Sequence, residues 1–344
     1  MAFQVPVDPR AERRARNVGW AMTILSGLLI GLLAYLTWTG FQGSDELVNP
    51  AASTNCLLPS TLGMAYEAIN YDLASDAALA AEADPAHCVA AGQPAGTALT
   101  TTDGIRIAGW YVPAGSGVGP SGPTLVLVHD HGANKSAMLP WAAFLHQDYN
   151  LVLFDLRNHG QSFGTATTAG LAERHDLEAV VAWLQAAKAP TWTGVVGTGL
   201  GGVAAAYAVA SALPVQALVL DSVPATVSEA IQRKIEAAGY PLALPAAWAV
   251  MLGSLFRTGM DISAADPILV IDHLGGVPVL LVQRDGDPSV QADSADRLAA
   301  EATADGVAAE VQHCAAAGEG PAIGLCADAY RDWVLGFLAR SRAS

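Results

Sequence analysis

Basic residues are scarce in this chain: 17 lysines and arginines stand against 32 aspartates and glutamates, a formal net charge of -15. So acidic a protein excludes an extended nucleic-acid interface and opposes adsorption to anionic lipid over most of its surface. Charge of either sign is thin, at 14% of residues against 52% hydrophobic. That ratio excludes a disordered chain or a coiled coil and leaves ample apolar mass for a large core. The four cysteines, Cys56, Cys88, Cys314 and Cys326, form no CxxC pair, so neither zinc nor dithiol redox chemistry is indicated. No internal repeat organises the 344 residues, which leaves one large α/β domain or two ordinary ones.

One long run lacks charge altogether. Arg10, Arg13, Arg14 and Arg16 precede Asn17 to Ser44, in which no residue is charged, and Asp45 and Glu46 follow it. The apolar core of this run, Ala21 to Trp38, is long enough to cross a bilayer, with Trp20, Tyr35, Trp38 and Phe41 at its two interfaces. The expected organisation is a short cytoplasmic basic segment at 1–17 and a transmembrane anchor at 18–41 that takes the lipid bilayer as its partner. The rest would lie outside, in a periplasm or the extracellular medium. A cleaved leader is the rival, with a shorter apolar region of about 7–15 residues and a small-x-small cleavage site, whereas this run ends Trp-Thr-Gly-Phe. All four cysteines follow the span, where disulfides are permitted. Proximity favours Cys56 with Cys88 and Cys314 with Cys326; four buried thiols are the alternative.

Residues 42–96 are rich in Ala, Asp and Asn without clear strand alternation and read as a linker or cap. From residue 97 short β-rich runs alternate with helix-length stretches through 344, the grammar of a mostly parallel sheet covered on both faces. The strand runs are Ile105 to Val112, Thr124 to Val128, Leu151 to Phe154, Gly194 to Val196, Ala217 to Leu220, Val279 to Val282 and Ala308 to Gln312. A Pro- and Gly-interrupted stretch at about 227–274 suggests a helical lid over the C-terminal edge of the sheet, where ligands of such sheets bind.

Two strand ends carry motifs: His129-Asp130-His131-Gly132, and Asp155-Leu156-Arg157-Asn158-His159-Gly160-Gln161-Ser162. Thr102-Asp103-Gly104 and Gly109-Trp110-Tyr111-Val112-Pro113 come before them; Thr168, Gly170, Glu173 and Asp176, then Ala265-Asp266-Pro267, then Val277 to Val282 come after. In kind and order these resemble the signatures of the α/β-hydrolase superfamily, particularly its membrane-associated, serine-aminopeptidase-like branch, over about Pro59 to Leu338. The resemblance implies an α/β-hydrolase fold and a nucleophile on a strained strand-to-helix elbow of pattern G-x-S-x-G.

Here the elbow reads Gly197-Thr198-Gly199-Leu200-Gly201-Gly202, so Gly199 stands at the nucleophile position. Glycine reaches that backbone region without steric cost while removing the attacking oxygen. Thr198 points elsewhere and has no adjacent base. The resemblance places the acid at Asp287, within Arg284-Asp285-Gly286-Asp287-Pro288, and puts Glu319, in Ala317-Gly318-Glu319-Gly320, where histidine would stand. His313, six residues before Glu319, reads as a structural histidine at a strand end. His129, Asp130, His131 and Leu200 mark the oxyanion region, and the Asp130 carboxylate opposes negative charge there.

These positions describe a pseudoenzyme with vestigial triad positions Gly199, Asp287 and Glu319, requiring no cofactor and no metal. The expected role is accessory subunit or scaffold among other membrane-protein subunits. A ligand-binding module using the old pocket is the alternative, with the elbow helix aiming its N-terminal N–H groups at it and His129, Asp130, His131, Asp285, Asp287 and Glu319 able to converge there. Two further alternatives are an esterase- or peptidase-like hydrolase with non-standard residues and a dinucleotide site at the Gly197–Gly202 turn, for which Asp221 ends the next strand.

Overall fold

The computed structural model describes residues 9–51, 53, 55–70, 96–316 and 321–343. Eight strands form one sheet: β1 Glu67–Ile69, β2 Gly109–Val112, β3 Thr124–Val128, β4 Asn150–Phe154, β5 Thr193–Thr198, β6 Ala217–Asp221, β7 Val279–Arg284 and β8 Ala309–Cys314. Their spatial order is β1-β2-β4-β3-β5-β6-β7-β8. β1 and β2 pair antiparallel at one end, and every pairing from β4 to β8 is parallel. Strands β2 to β7 are buried along their whole length except at Thr198, which is why they read as unbroken apolar runs rather than alternation.

The nine helices of the described chain are α1 Pro9–Val48, α2 Leu139–Leu145, α3 Arg174–Ala187, α4 Gly199–Ala210, α5 Val227–Ala237, α6 Ala243–Thr258, α7 Ser294–Ala304, α8 Ala322–Leu325 and α9 Ala327–Ala343. The pleat of β3 divides the core. Val126 and Val128 pack with α3, α4 and α7, while Leu125 and Leu127 pack with α2 and α9 on the other face. The lid, α5 and α6 followed by short 3-10 turns to His273, has its own small core of Val227, Ile231, Ala247, Val250 and Met251.

Two elements depart from the sequence expectation. β1 lies within 42–96, where no strand signal was visible, because three residues are too few to show a period. The extended part of Ile105 to Val112 pairs with the main sheet only from Gly109; before it, Arg106 makes an isolated bridge to Thr100.

α1 is long and apolar enough to cross a membrane, and its most apolar window is wholly unburied by the rest of the chain. Its C-terminal end is tied to the domain. Leu47 O accepts from His131 Nε2 at 2.9 Å and Val48 O from Asn158 Nδ2 at 3.0 Å, and α6 lies alongside it.

Candidate functional site: a filled nucleophile elbow

The strand order reverses at β3, which has β4 on one side and β5 on the other. The chains leaving the C-terminal ends of β3 and β5 therefore diverge and leave a crevice, the place where open α/β sheets hold ligands. Val128 is in register with Gly197, so His129-Asp130 and Thr198-Gly199 emerge side by side.

Gly199 begins α4 at φ 46°, the left-handed region that an elbow residue requires and that costs glycine nothing. The space its side chain would use is taken. A Cβ on Gly199 would lie 2.0 Å from Asp130 Oδ1 and 2.2 Å from Asp130 Cγ. The same Oδ1 accepts from the Leu200 N–H at 2.7 Å and from the His131 N–H at 2.7 Å. In the hydrolase elbow the N–H of the residue after the nucleophile helps hold the oxyanion; here a resident carboxylate holds it. The Asp130 carboxylate thus lies at the elbow itself, bonded to the N–H groups there. Of the elbow-helix N–H groups expected to face the pocket, that of Leu200 is occupied.

The three motif histidines serve the loops. His129 is fully buried, with Nδ1 donating to Asp130 O at 2.7 Å and Nε2 accepting from the Leu156 N–H at 3.0 Å. Burial, assisted by the neighbouring His159, pushes its pKa down to about 4, so the ring is neutral and satisfied at both nitrogens. His159 donates from Nδ1 to Arg157 O and accepts at Nε2 from the Gly132 N–H. His131, tied to α1, is held neutral chiefly by burial, its pKa lowered to about 4.

Asp287 follows β7 and lines the same cavity. Its Oδ1 accepts from the Ser289 N–H at 2.8 Å, its Oδ2 lies 3.4 Å from Arg284, and its carbonyl accepts from Arg233 of the lid. These are the bonds of a turn residue; no described histidine is bonded to it. His313, at the end of β8, faces Asp285 at 3.1 Å and Asp296 at 3.4 Å. Those partners hold it at the end of β8; of the residues expected to converge, Asp130 and Asp287 line one cavity, while His129 is spent on the loops and Asp285 on His313. Among the described residues no group of three His, Cys, Asp or Glu has the spacing to hold a metal. Glu319 and Cys88 lie outside the described residues. Cys314 and Cys326 are joined, S–S 2.00 Å, which fixes the start of α9 to the end of β8. Cys56 is likewise a disulfide sulfur.

A cavity of about 360 Å³ adjoins the elbow, lined by Asp130, Thr198, Gly199, Asp221, Arg284 and Asp287 among others. Asp221, which the sequence offered only for the dinucleotide alternative, also lines this cavity. It is buried and accepts from Tyr330 OH at 2.7 Å, and that hydroxyl in turn accepts from Trp141 Nε1 at 2.8 Å. Burial pushes the Asp221 carboxyl up to about 6. Its position at the end of an apolar strand was the one available signal, and that signal pointed to a ribose ligand. Asp221 instead faces Tyr330, and Asp130 holds the N–H a phosphate would need, so the geometry gives no support to a dinucleotide at this turn. Ser222 was unforeseen as well; it sits at φ 54° on the cavity wall with its hydroxyl donated to Asp221. Thr198 Oγ1 makes only a long contact, 3.5 Å, to Val128 O, and one to Met138 Sδ.

A family model described as alpha/beta hydrolase fold matches residues 123–244. The uncharacterized protein Rv2307c of Mycobacterium tuberculosis is 31% identical over 216 residues, 61% of this chain and 68% of that protein. The uncharacterized protein YfhR of Escherichia coli O157:H7 is 28% identical over 148 residues, 42% of this chain, which spans about half (52%) of YfhR's length. Among solved structures, the Pyrococcus furiosus esterase Pf2001 superposes with a TM-score of 0.64 at 20% identity, covering 86% of this chain and 98% of the esterase. With the strand order, the elbow and these matches in agreement, the chain belongs to the α/β-hydrolase-fold family.

Proposed function

We propose that this protein is a non-hydrolytic, membrane-anchored member of its family, which works by binding as an accessory subunit or scaffold of a membrane complex. Its N-terminus would lie in the cytoplasm and its α/β domain outside. The observation that carries the loss of chemistry is the Asp130 carboxylate, which occupies both the side-chain space of Gly199 and the Leu200 N–H. A substrate carbonyl placed there would find no attacking oxygen, and its developing negative charge would meet a fixed one. The anchor supports a role at the membrane, because an apolar helix of this length seeks lipid or other helices.

A second reading, a ligand-binding module, is favoured by the cavity of about 360 Å³ that persists beside the filled elbow. Acyl-ester turnover and labelling by a fluorophosphonate probe, measured on the full chain in mild detergent, test the shared premise. Neither is expected above the buffer rate, and stoichiometric labelling of any hydroxyl would overturn it. Mass spectrometry of what co-purifies from native membranes separates the two readings: a fixed set of subunits supports the scaffold, a lone chain the ligand module.

A further inference from the structure

We propose that the lid helix is itself a membrane element: the stretch from Tyr240 to Phe256 enters the leaflet facing the α/β domain, beside the anchor. The proposal rests on reading α1 as a membrane span.

The first observation is a shared charge boundary. Going back from the domain, the last charge before the apolar run of α1 is Asp45, and the nearest charge on α6 is Arg257. These two are paired at 3.0 Å, and Arg257 also donates to Ser44 Oγ at 2.9 Å and stacks over Phe41. Below that pair α1 is uncharged back to Asn17, and the α6 segment back to Tyr240, Glu236 of α5 being the next charge before it. Two segments about 200 residues apart in sequence thus end their apolar stretches at one level.

The second observation is depth. α6 runs alongside α1, with the segment that leads into it on the side away from the domain: Tyr35 OH donates to Pro241 O, and Trp38 packs edge-on to Tyr240, ring centres 6.0 Å apart. Ten residues of helix separate Tyr35 from Asp45, about 15 Å at 1.5 Å per residue. That is roughly half of a ~30 Å hydrocarbon layer. The backbones approach closely because small residues face each other. A Cβ on Gly253 would lie 2.6 Å from Gly40 O, and one on Gly40 2.8 Å from Ala249 O. The Pro241 carbonyl is satisfied by Tyr35, as a backbone acceptor in lipid must be.

The third observation is the outward face. Leu244, Trp248, Leu252 and Phe256 recur every four residues along α6, and all four are exposed, Trp248 at 60% and Phe256 at 81%. Leu242 at the tip is exposed too. An unpartnered stripe of this size on a soluble surface would be an association site. Here it continues the lipid-facing surface of α1. With 16 residues, α6 is too short to span and suits insertion into one leaflet.

The full chain, reconstituted alone in phosphatidylcholine–phosphatidylglycerol nanodiscs, tests this by spin labelling without reductant. Trp248→Cys reports the lid, Leu28→Cys the anchor and Glu301→Cys an exposed domain helix. The expected result is a several-fold higher ratio of oxygen to nickel-chelate accessibility at 248 and 28 than at 301. Nickel accessibility at 248 equal to that at 301, with 28 in lipid, would overturn the lid proposal and leave the anchor standing. A label at 248 shielded from both reagents would mean that protein covers the stripe, which overturns it as well. Nickel accessibility at 28 would overturn the anchor and, with it, the lid.

Discussion

Two neighbouring regions of this molecule have fared differently. Beneath the ends of β3 and β4 every charge is matched. Asp155 accepts from Lys135 Nζ at 2.6 Å and from the N–H groups of Lys135 and Gln161; Arg157 bridges Asp176 at 2.7 Å and Asp103 at 2.6 Å. Burial alone would raise the Asp155 pKa, but the Lys135 ammonium, with the Gln161 N–H, outweighs it and holds the carboxyl below its ordinary range. At the elbow, after β5, a glycine and an aspartate stand at the positions the family gives to a nucleophile and an oxyanion. The first region consists of the residues that make the sequence look like a hydrolase. They hold loops together through buried hydrogen bonds, so they report the fold and are silent about the chemistry.

That contrast can be broken or sharpened by substitution. The largest effect is expected from Asp155→Ala, which strands the Lys135 ammonium in the core and should lower stability by about 3–5 kcal/mol. Chemical denaturation measures this, and a loss under 1 kcal/mol would show that the motif residues are dispensable to the fold. Next comes Gly199→Ser, which must displace Asp130 and adopt a strained backbone. A loss of about 2–3 kcal/mol and no esterase turnover are expected. Asp130→Gly combined with Gly199→Ser should recover part of that loss, and a double-mutant cycle showing strict additivity would mean that the two positions do not share the space.

A smaller effect of opposite sign is expected at Asp221. Its folded pKa, near 6, lies above the value of about 3.9 for an exposed aspartate, so ionisation above pH 6 opposes folding and the penalty fades as pH falls below 6. Asp221→Asn should therefore stabilise the protein by about 1–2 kcal/mol at pH 7.5 and lose that advantage near pH 4. Melting curves over that range would refute the assignment if the difference were flat. Asp287→Ala should matter least, about 1 kcal/mol or less, since it loses a turn hydrogen bond and a long ion pair. A collapse of stability there would place Asp287 with the matched charges instead.

The strands were legible in the sequence because doubly covered parallel strands leave unbroken apolar runs, and the elbow because Gly197-x-Gly199-x-Gly201 follows one of them. What escaped notice depends on distance along the chain. Tyr330 reaches Asp221 across 109 residues and Trp141 reaches Tyr330 across 189, and no local pattern encodes such meetings. Gly40 and Gly253 look like helix-weakening glycines until the two helices are placed together. Asp130 was visible as an altered oxyanion residue. Its actual position depends on how closely the turns after β3 and β5 approach, and that comes from sheet topology.

The fit between Asp130 and Gly199 acts as a ratchet. Serine introduced at 199 meets the carboxylate, and removing the carboxylate leaves an elbow with no hydroxyl, so on the proposed reading neither single step gives hydrolysis. On that reading, any path to an esterase crosses a variant that gains no activity and, along the first route, loses stability. Two residues in contact can in this way hold a fold away from hydrolysis, whatever the protein does with that fold.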